Sequence, residues 1–131
     1  MKTVGGKMKC ALIFITLASI TTAAFASSWV PVLNENEYTM GVDSETYKAN
    51  GDNRDFWTKQ DYKKTQKTSS GKPYISIVAK WHINCANDTW SAASISYYDK
   101  LGRIVITATG TGTVDITPDT IAQVVERAVC K

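Results

Sequence analysis

Apolar and polar residues alternate most regularly over residues 74–85. One parity is apolar and the other mostly polar, and the apolar set is Ile75, Ile77, Ala79, Trp81, Ile83 and Cys85. Because successive side chains of a strand point to opposite faces, this pattern predicts a strand with one buried face. That face is the apolar surface available for another element to cover.

Turns and strand-favouring segments continue the pattern downstream. Asn87-Asp88 offers a turn, and residues 89–98 follow with Trp, Ile and Tyr. Residues 99–102 begin with Asp and end with Gly, as type I turns do, and residues 103–109 return as a further strand. Three consecutive antiparallel strands are therefore expected in this part of the chain.

Weaker strand candidates lie upstream, at residues 29–33, 38–42 and 55–62. Pro31 confines the first of them to a sheet edge or to the start of a strand, because proline cannot donate a backbone hydrogen bond. No repeat, linker or low-complexity run divides the chain after residue 26. A single domain is expected, with these weaker strands in addition to the three antiparallel ones.

The C-terminus changes from a strand period to a helix period. Thr117, Pro118 and Asp119 offer a capping hydroxyl, a proline at the first helical position and an acid near the positive end of the helix dipole. Apolar residues then recur at offsets of three and four, at Ile121, Val124, Val125, Ala128 and Val129. This stripe is expected to pack on the apolar face of residues 74–85, which gives an α+β fold with one C-terminal helix on one face of the sheet.

The first 26 residues have the pattern of a secretory signal peptide. Lys2, Lys7 and Lys9 precede an uncharged apolar stretch at residues 10–24, which is shorter than the roughly 20 residues that span a bilayer. Ala24-Phe25-Ala26 supplies the small residues that a signal peptidase recognises. We expect a signal peptide at 1–26, a single domain at 27–131 and no membrane span in the mature protein.

Removal of the leader changes the charge of the protein. The full chain has a formal net charge of +3, and the three leader lysines account for all of it. The mature domain is therefore neutral overall, so nucleic acid is not a favoured partner.

The chain has three cysteines, and Cys10 lies in the expected leader. Cys85 and Cys130 therefore remain in the mature domain. Export places them in an oxidising compartment, so a single disulfide is expected, with two free thiols as the alternative. A regular helix would point Cys130 about 180° away from Ile121 and from the sheet. A bridge therefore requires the helix to end or unwind near Val129, and a frayed or tightened last turn is expected.

The chain offers little that predicts catalysis or metal binding. His82 is the single histidine, and no Gly-x-Ser-x-Gly elbow accompanies it, so a solvated strand histidine is the favoured interpretation. His82 and Cys85 have ligand-like spacing but lack the further ligands of a structural zinc site. The Gly-x-Gly at residues 110–112 lacks the other parts of a phosphate loop, and a flexible connection is expected. We predict no catalytic residue, no metal and no cofactor.

A basic and aromatic stretch is the candidate binding site. Lys63, Lys64 and Lys67, with Tyr62 and Trp57 close by in sequence, offer an anionic partner both charge and aromatic contact. The alternative is a solvated hairpin loop without a ligand.

Residues 85–105 and 118–130 carry motifs of a known family. The pattern comprises Cys85, Trp90, Ser94-Ile95-Ser96-Tyr97-Tyr98-Asp99, Gly102 and Val105, then a proline-started helix ending in Val129-Cys130. Trp29, just after the expected processing site, matches as well. In these residues the chain resembles the bacterial surface-adhesin E family, and the likeness spans nearly all of the mature chain.

The resemblance implies an antiparallel sheet of about six strands whose C-terminal helix is held on one face by a Cys85–Cys130 disulfide. It also implies adhesion, since members bind host matrix and serum proteins such as vitronectin, laminin and plasminogen, sometimes as dimers. It brings no catalytic residue. The adhesin is displayed as a lipoprotein, whereas Cys10 opens the apolar stretch instead of following it. We therefore expect a periplasmic or secreted protein.

The leading hypothesis is a non-enzymatic exported bacterial binding protein that contacts a host protein or an envelope partner. A small periplasmic or secreted hydrolase remains an alternative, favoured by a deep pocket that gathers His82 with two carboxylates. A structural or assembly partner within the envelope is a third, favoured by a long unpaired edge strand.

Overall fold

The structure is a computed structural model and describes residues 27–131, so the expected signal peptide at 1–26 lies outside the described residues. The described chain forms an eight-stranded antiparallel sheet and one helix. The elements are β1 (Trp29–Asn34), β2 (Tyr38–Asp43), β3 (Lys48–Asn50), β4 (Asn53–Lys67), β5 (Pro73–Asn84), β6 (Thr89–Tyr98), β7 (Ile104–Thr109), β8 (Val114–Asp115) and α1 (Ile121–Val129).

The main sheet has the order β1-β2-β4-β5-β6-β7. These are the six expected strands, and the predicted antiparallel sheet with one C-terminal helix is confirmed. Two short strands were not expected: β3 pairs with the start of β4, and β8 pairs with the start of β6. The residues between 62 and 67 continue β4 as a strand, where a hairpin loop was the alternative, because β4 pairs with β5 as far as Lys67.

One face of the sheet, which we call the inner face, carries the hydrophobic core. The fully buried side chains Phe56 and Ile83 lie here, and α1 covers them with Val125. Met40, Val42, Ala79, Trp81, Ala92, Ala122 and Val129 complete the buried cluster. The helix therefore packs on the apolar parity of β5, as the alternation predicts. Ile75 departs from that parity: it lines a hollow with Lys59 and Val78 on the opposite, outer face.

The helix begins later than its sequence signal indicates. Thr120, not Thr117, is the N-cap, and its side-chain oxygen accepts a hydrogen bond from the backbone N–H of Gln123. Asp119 has a positive φ of 61°, which turns the chain between Pro118 and the cap, so Pro118 is not the first helical residue. The Thr117 carbonyl accepts a hydrogen bond from the Thr120 hydroxyl instead. The predicted cap at Thr117 was wrong because Thr120 offers the same hydroxyl directly before Ile121, where the apolar repeat of the helix begins.

The helix ends at Val129, as the position of Cys130 requires. Cys130 is the C-cap and forms the predicted disulfide with Cys85, with the two Cα atoms 5.7 Å apart. The last turn is neither frayed nor tightened, because the Cys130 N–H donates to the Glu126 carbonyl four residues earlier. The Tyr47 hydroxyl and Arg54 Nε donate to the Val129 carbonyl, at 3.0 and 3.1 Å. Side-chain donors and the disulfide thus hold the same end of the helix.

Gly110 occupies a place that no other residue fits. A Cβ atom there would lie 1.4 Å from the Ala92 carbonyl oxygen, and the Gly110 N–H donates to the Ala93 carbonyl at 3.2 Å. The connection after β7 is therefore held against β6 at its start, which the prediction of a flexible connection missed.

Candidate binding face

Four tyrosines, one from each of four neighbouring strands, form a row across the inner face. The ring centroids of Tyr38 and Tyr62 are 5.7 Å apart, those of Tyr62 and Tyr74 5.9 Å, and those of Tyr74 and Tyr97 4.9 Å. The last two pairs meet edge to face, an arrangement that aromatic rings favour. We call Tyr38, Tyr62, Tyr74 and Tyr97 the tyrosine row.

The sheet register explains how the row is assembled. Tyr38 and Tyr62 are directly opposite each other, and Tyr62 shares the parity of buried Phe56 on β4. Tyr97 is opposite Ile77, which has the parity of the β5 core residues. Tyr74 joins the row from the start of β5, where the pairing with β4 shifts. The row therefore lies on the same face as the helix.

The helix does not reach the tyrosine row. Tyr62 lies six residues beyond Phe56 along β4, which is roughly 20 Å of extended strand. The core side chains that contact α1 cluster around Phe56, Trp81 and Ile83. All four tyrosines remain half-buried. One end of the inner face is thus covered by the helix, and the other presents aromatic rings to solvent.

The hydroxyls of Tyr38, Tyr62 and Tyr74 are held in their neutral form, because the pKa of each is raised. Burial raises the pKa of Tyr62, and the neighbouring Tyr74 and Tyr38 raise it further. Burial also raises the pKa of Tyr38 and of Tyr74, with Glu35 the next cause for Tyr38. The Gln60 side-chain amide donates to the Tyr62 hydroxyl at 3.1 Å. These three residues therefore offer flat apolar rings together with neutral hydroxyl groups.

The three candidate lysines lie at the end of β4, beside the tyrosine row. Lys63 Nζ donates to the Glu35 carbonyl at 3.0 Å, which ties β4 to the turn after β1. Lys64 lines a small hollow of about 230 Å³ with Lys63 and Glu37. Lys64 and Lys67 are exposed. Lys63 and Lys64 directly follow Tyr62 in sequence, and all three lysines lie at the same end of the sheet as Tyr62.

Trp57 is not brought together with the other candidates. It has the parity of Lys59 on β4, opposite to that of Phe56 and Tyr62, and its partner across the strand pair is Lys80. It therefore lies on the outer face. The predicted site therefore splits: Tyr62 and the three lysines share one end of β4, whereas Trp57 lies five residues before Tyr62 on the outer face.

Charge is distributed unevenly between the two ends of the sheet. The end that carries the tyrosine row is bounded by the turns 35–37, 68–72 and 99–103. Basic residues outnumber acidic ones there: Lys63, Lys64, Lys67, Lys72, Lys100 and Arg103 against Glu35, Glu37, Asp61 and Asp99. The end near the helix is acidic: Asp43, Glu45, Asp52, Asp55, Asp88, Asp115, Asp119 and Glu126 against Lys48, Arg54, Arg127 and Lys131. An acidic partner is therefore attracted to the tyrosine end.

His82, the candidate for acid–base chemistry, lies on the outer face. Its Nδ1 is 2.8 Å from Oδ1 of Asp55, and both side chains are well exposed to solvent. Ser91 is the register partner of His82, but it lies within the strand β6 and not on a turn. Within residues 27–131, no three His, Cys, Asp or Glu side chains are grouped to hold a metal ion. The arrangement is a cross-strand pair on an open sheet surface.

Sequence reasoning found Tyr62 and missed Tyr38, Tyr74 and Tyr97. Tyr38 carries a usable signal, since it shares the parity of Met40 and Val42 in a predicted strand. Tyr74 carries none, because its place depends on the shift in pairing between β4 and β5.

Comparison with known proteins shows which family and which solved structures this chain is similar to. The profile of the Surface-adhesin protein E family matches residues 29–131. The chain is similar to a structure of Haemophilus influenzae protein E, with a TM-score of 0.56 and 19% identity over 82% of this chain and 86% of that one. A crystal structure of protein E from non-typeable Haemophilus influenzae gives a TM-score of 0.52 and 17% identity over 82% and 78%.

No curated protein matches the sequence. None of the helices described within residues 27–131 has the length and hydropathy required to cross a membrane. The family match covers the sheet, the helix, Cys85 and Cys130, so the chain belongs to the Surface-adhesin protein E family.

Proposed function

We propose that this chain is an exported surface adhesin that binds another protein and catalyses no reaction. The observation that carries the proposal is the tyrosine row, four half-buried rings in a continuous line of tilted and edge-to-face contacts, on the part of the inner face that the helix leaves open. Tyrosine is enriched in protein interfaces because a large ring is buried with little loss of side-chain freedom while the hydroxyl keeps a polar partner. Family membership supports the same role.

The proposed partner is a host matrix or serum protein that presents an acidic surface. The lysines beside the row, Lys63, Lys64 and Lys67, increase the rate of encounter with such a surface, and the rings supply the contact area. The protein is exported by residues 1–26 and acts as the single domain 27–131, outside the cell or in the periplasm. Tyr62 and the lysines form the binding site, and Trp57 has no part in it.

A pair of adjacent tyrosines provides the test of the row. Tyr97 belongs to the row, while Tyr98 lines the outer-face hollow with Trp29 and Lys59. Binding of residues 27–131 to immobilised vitronectin, laminin and plasminogen is measured for the wild type, Tyr97→Ser and Tyr98→Ser. Tyr97→Ser is expected to weaken binding about tenfold, as the loss of an aromatic anchor does, whereas Tyr98→Ser retains it. Equal losses in both variants would count against the row.

The role of the lysines is tested by charge reversal at matched positions. Changing Lys63, Lys64 and Lys67 to Glu is expected to slow association and to weaken its dependence on salt. The control changes Lys48, Arg127 and Lys131, which lie at the helix end, to Glu. Wild-type binding of all three proteins by the first variant would remove the lysines from the site. Absence of binding by the wild type would overturn the proposal as a whole.

A further inference from the structure

The two outermost strands of the main sheet differ in how their free edges are protected. β1 contains Pro31, its pairing with β2 shifts between Pro31 and Leu33, and Val32 lines a groove with the helix residue Val129. Proline, irregular pairing and a covering helix are the devices by which proteins keep an edge strand from pairing with other chains. The edge at β1 is therefore blocked.

The edge at β7 is less protected: its pairing with β6 shifts once, between Tyr97 and Tyr98, but the strand contains no proline. Its six residues, IVITAT, include neither proline nor a charged residue. Ile104 is 59% exposed and Ile106 is 38% exposed, and within residues 27–131 no strand lies on the outer side of β7. Its outward backbone N–H and C=O groups are free to pair with an extended chain.

The free edge is continuous with the tyrosine row. Ile106 is opposite Tyr97 in the pairing of β6 with β7, so its side chain lies on the inner face next to the last ring of the row. A strand added to β7 would extend the same face and place alternate side chains beside Ile106. The edge and the row thus form one surface.

The charges at the start of β7 indicate in which direction a strand added to this edge would run. The turn that leads into β7 carries Lys100 and Arg103, and Lys100 is exposed. Arg103 is paired with Asp99 in the same turn, at 2.8 Å. In an added antiparallel strand, the residues nearest this turn are those at its C-terminal end. An acidic residue at that end would meet Lys100.

We propose that β7 binds an extended segment of the partner protein by strand addition, antiparallel to β7. The segment carries β-branched or aromatic residues over Ile106 and an acidic residue near Lys100 at its C-terminal end. Antiparallel addition continues the pairing of the whole sheet and is slightly more stable per residue than parallel addition. The proposal rests on the proposed function in that the partner is a protein.

Two synthetic peptides test the edge without knowledge of the natural partner. Both are about eight residues long, the length of an ordinary strand, and alternate Val with Thr. One ends in two glutamates and the other begins with them. The peptide with C-terminal glutamates is expected to bind residues 27–131 and to slow amide hydrogen exchange across Ile104–Thr109. Preferential binding of the other peptide would overturn the proposed direction.

Ile106→Lys provides the matched variant, because an exposed lysine on an edge strand prevents further pairing. It is expected to weaken peptide binding at least about tenfold. Val114→Lys is the control, since Val114 is 47% exposed on β8, which pairs with the other end of β6. Circular dichroism checks that both variants are folded. Equal peptide binding by wild type and Ile106→Lys would overturn the proposal.

The outcomes separate this proposal from the proposed function. If vitronectin, laminin or plasminogen binding is lost with Tyr97→Ser but kept with Ile106→Lys, the adhesin function stands and strand addition is wrong. If the peptide binds at β7 but none of the three proteins binds, strand addition stands and the proposed host partners are wrong. If sedimentation equilibrium shows a dimer that Ile106→Lys dissociates and no peptide binds, the occupant is a second copy and the proposal fails.

Discussion

The inner face of this sheet has two halves that are built by the same strands but finished differently. In the half covered by α1, Phe56 and Ile83 are almost completely buried. In the open half, the same strands β4 and β5 present Tyr62 and Tyr74, which stay half-buried. Position on the inner face therefore does not decide burial. The helix does, and it is only nine residues long, about 13 Å.

The choice of side chain follows this division. Where the helix excludes water, a polar group without a partner is costly, and the buried residues are mostly aliphatic or aromatic hydrocarbon. Where water remains, tyrosine protects part of the sheet with its ring and keeps its hydroxyl solvated. The covered half serves stability, and the open half is available for recognition.

Alanine substitutions at two positions of one strand test this comparison most strongly. Phe56→Ala removes a fully buried ring and is expected to reduce the free energy of unfolding by about 3–5 kcal/mol. Tyr62→Ala, six residues further on the same face, is expected to cost about 1 kcal/mol because its ring is half-exposed. Urea denaturation followed by tryptophan fluorescence measures both. Similar losses would show that the open half is part of the core.

The disulfide is expected to have the next effect, because it clamps the helix over the covered half. Replacing both Cys85 and Cys130 with Ser removes a link between residues 45 positions apart. On the chain-entropy view this lowers the free energy of unfolding by about 4 kcal/mol, with less where the reduced chain keeps residual structure. Comparing the oxidised wild type with the double variant in urea checks this. An unchanged denaturation midpoint would show that Tyr47, Arg54 and packing hold the helix without the bridge.

A smaller effect concerns the carboxyl group of Glu126, on the helix next to the turn after β5. Burial raises its pKa above the ordinary value of 4.5, and a hydrogen bond and charge from Asp88 raise it further. The folded state therefore holds the proton more tightly than the unfolded state. Ionisation of Glu126 destabilises the fold as pH rises through the raised pKa, and this cost is absent below the ordinary value.

Glu126→Gln is therefore expected to stabilise the protein at pH 7 by less than about 1 kcal/mol, since the site is partly exposed. The gain over wild type is expected to vanish at low pH, and thermal unfolding across the pH range measures it. In an Asp88→Asn background, Glu126→Gln is expected to raise the free energy of unfolding by a smaller amount. A gain that is equal at all pH values would assign the effect to packing instead of ionisation.

The candidate site was only partly accessible to sequence reasoning. Tyr62, Lys63 and Lys64 were found because they are neighbours in the chain, and the structure keeps them together at one end of β4. Trp57 was grouped with them for the same reason and lies on the outer face, because an odd number of strand positions separates it from Tyr62. The other three tyrosines come from different strands, and strand register is a nonlocal property.

By itself, the sequence determined the strand periodicity of β5, the helix period after residue 120 and the pairing of Cys85 with Cys130, the two cysteines of residues 27–131. These follow from local spacing and from a count of two, which allows one bridge. Tertiary structure alone decided where the helix stops covering the sheet, which tyrosines meet and which edge remains open. Those features depend on side chains and backbone groups far apart in sequence, whose contacts arise only when register and packing are satisfied together.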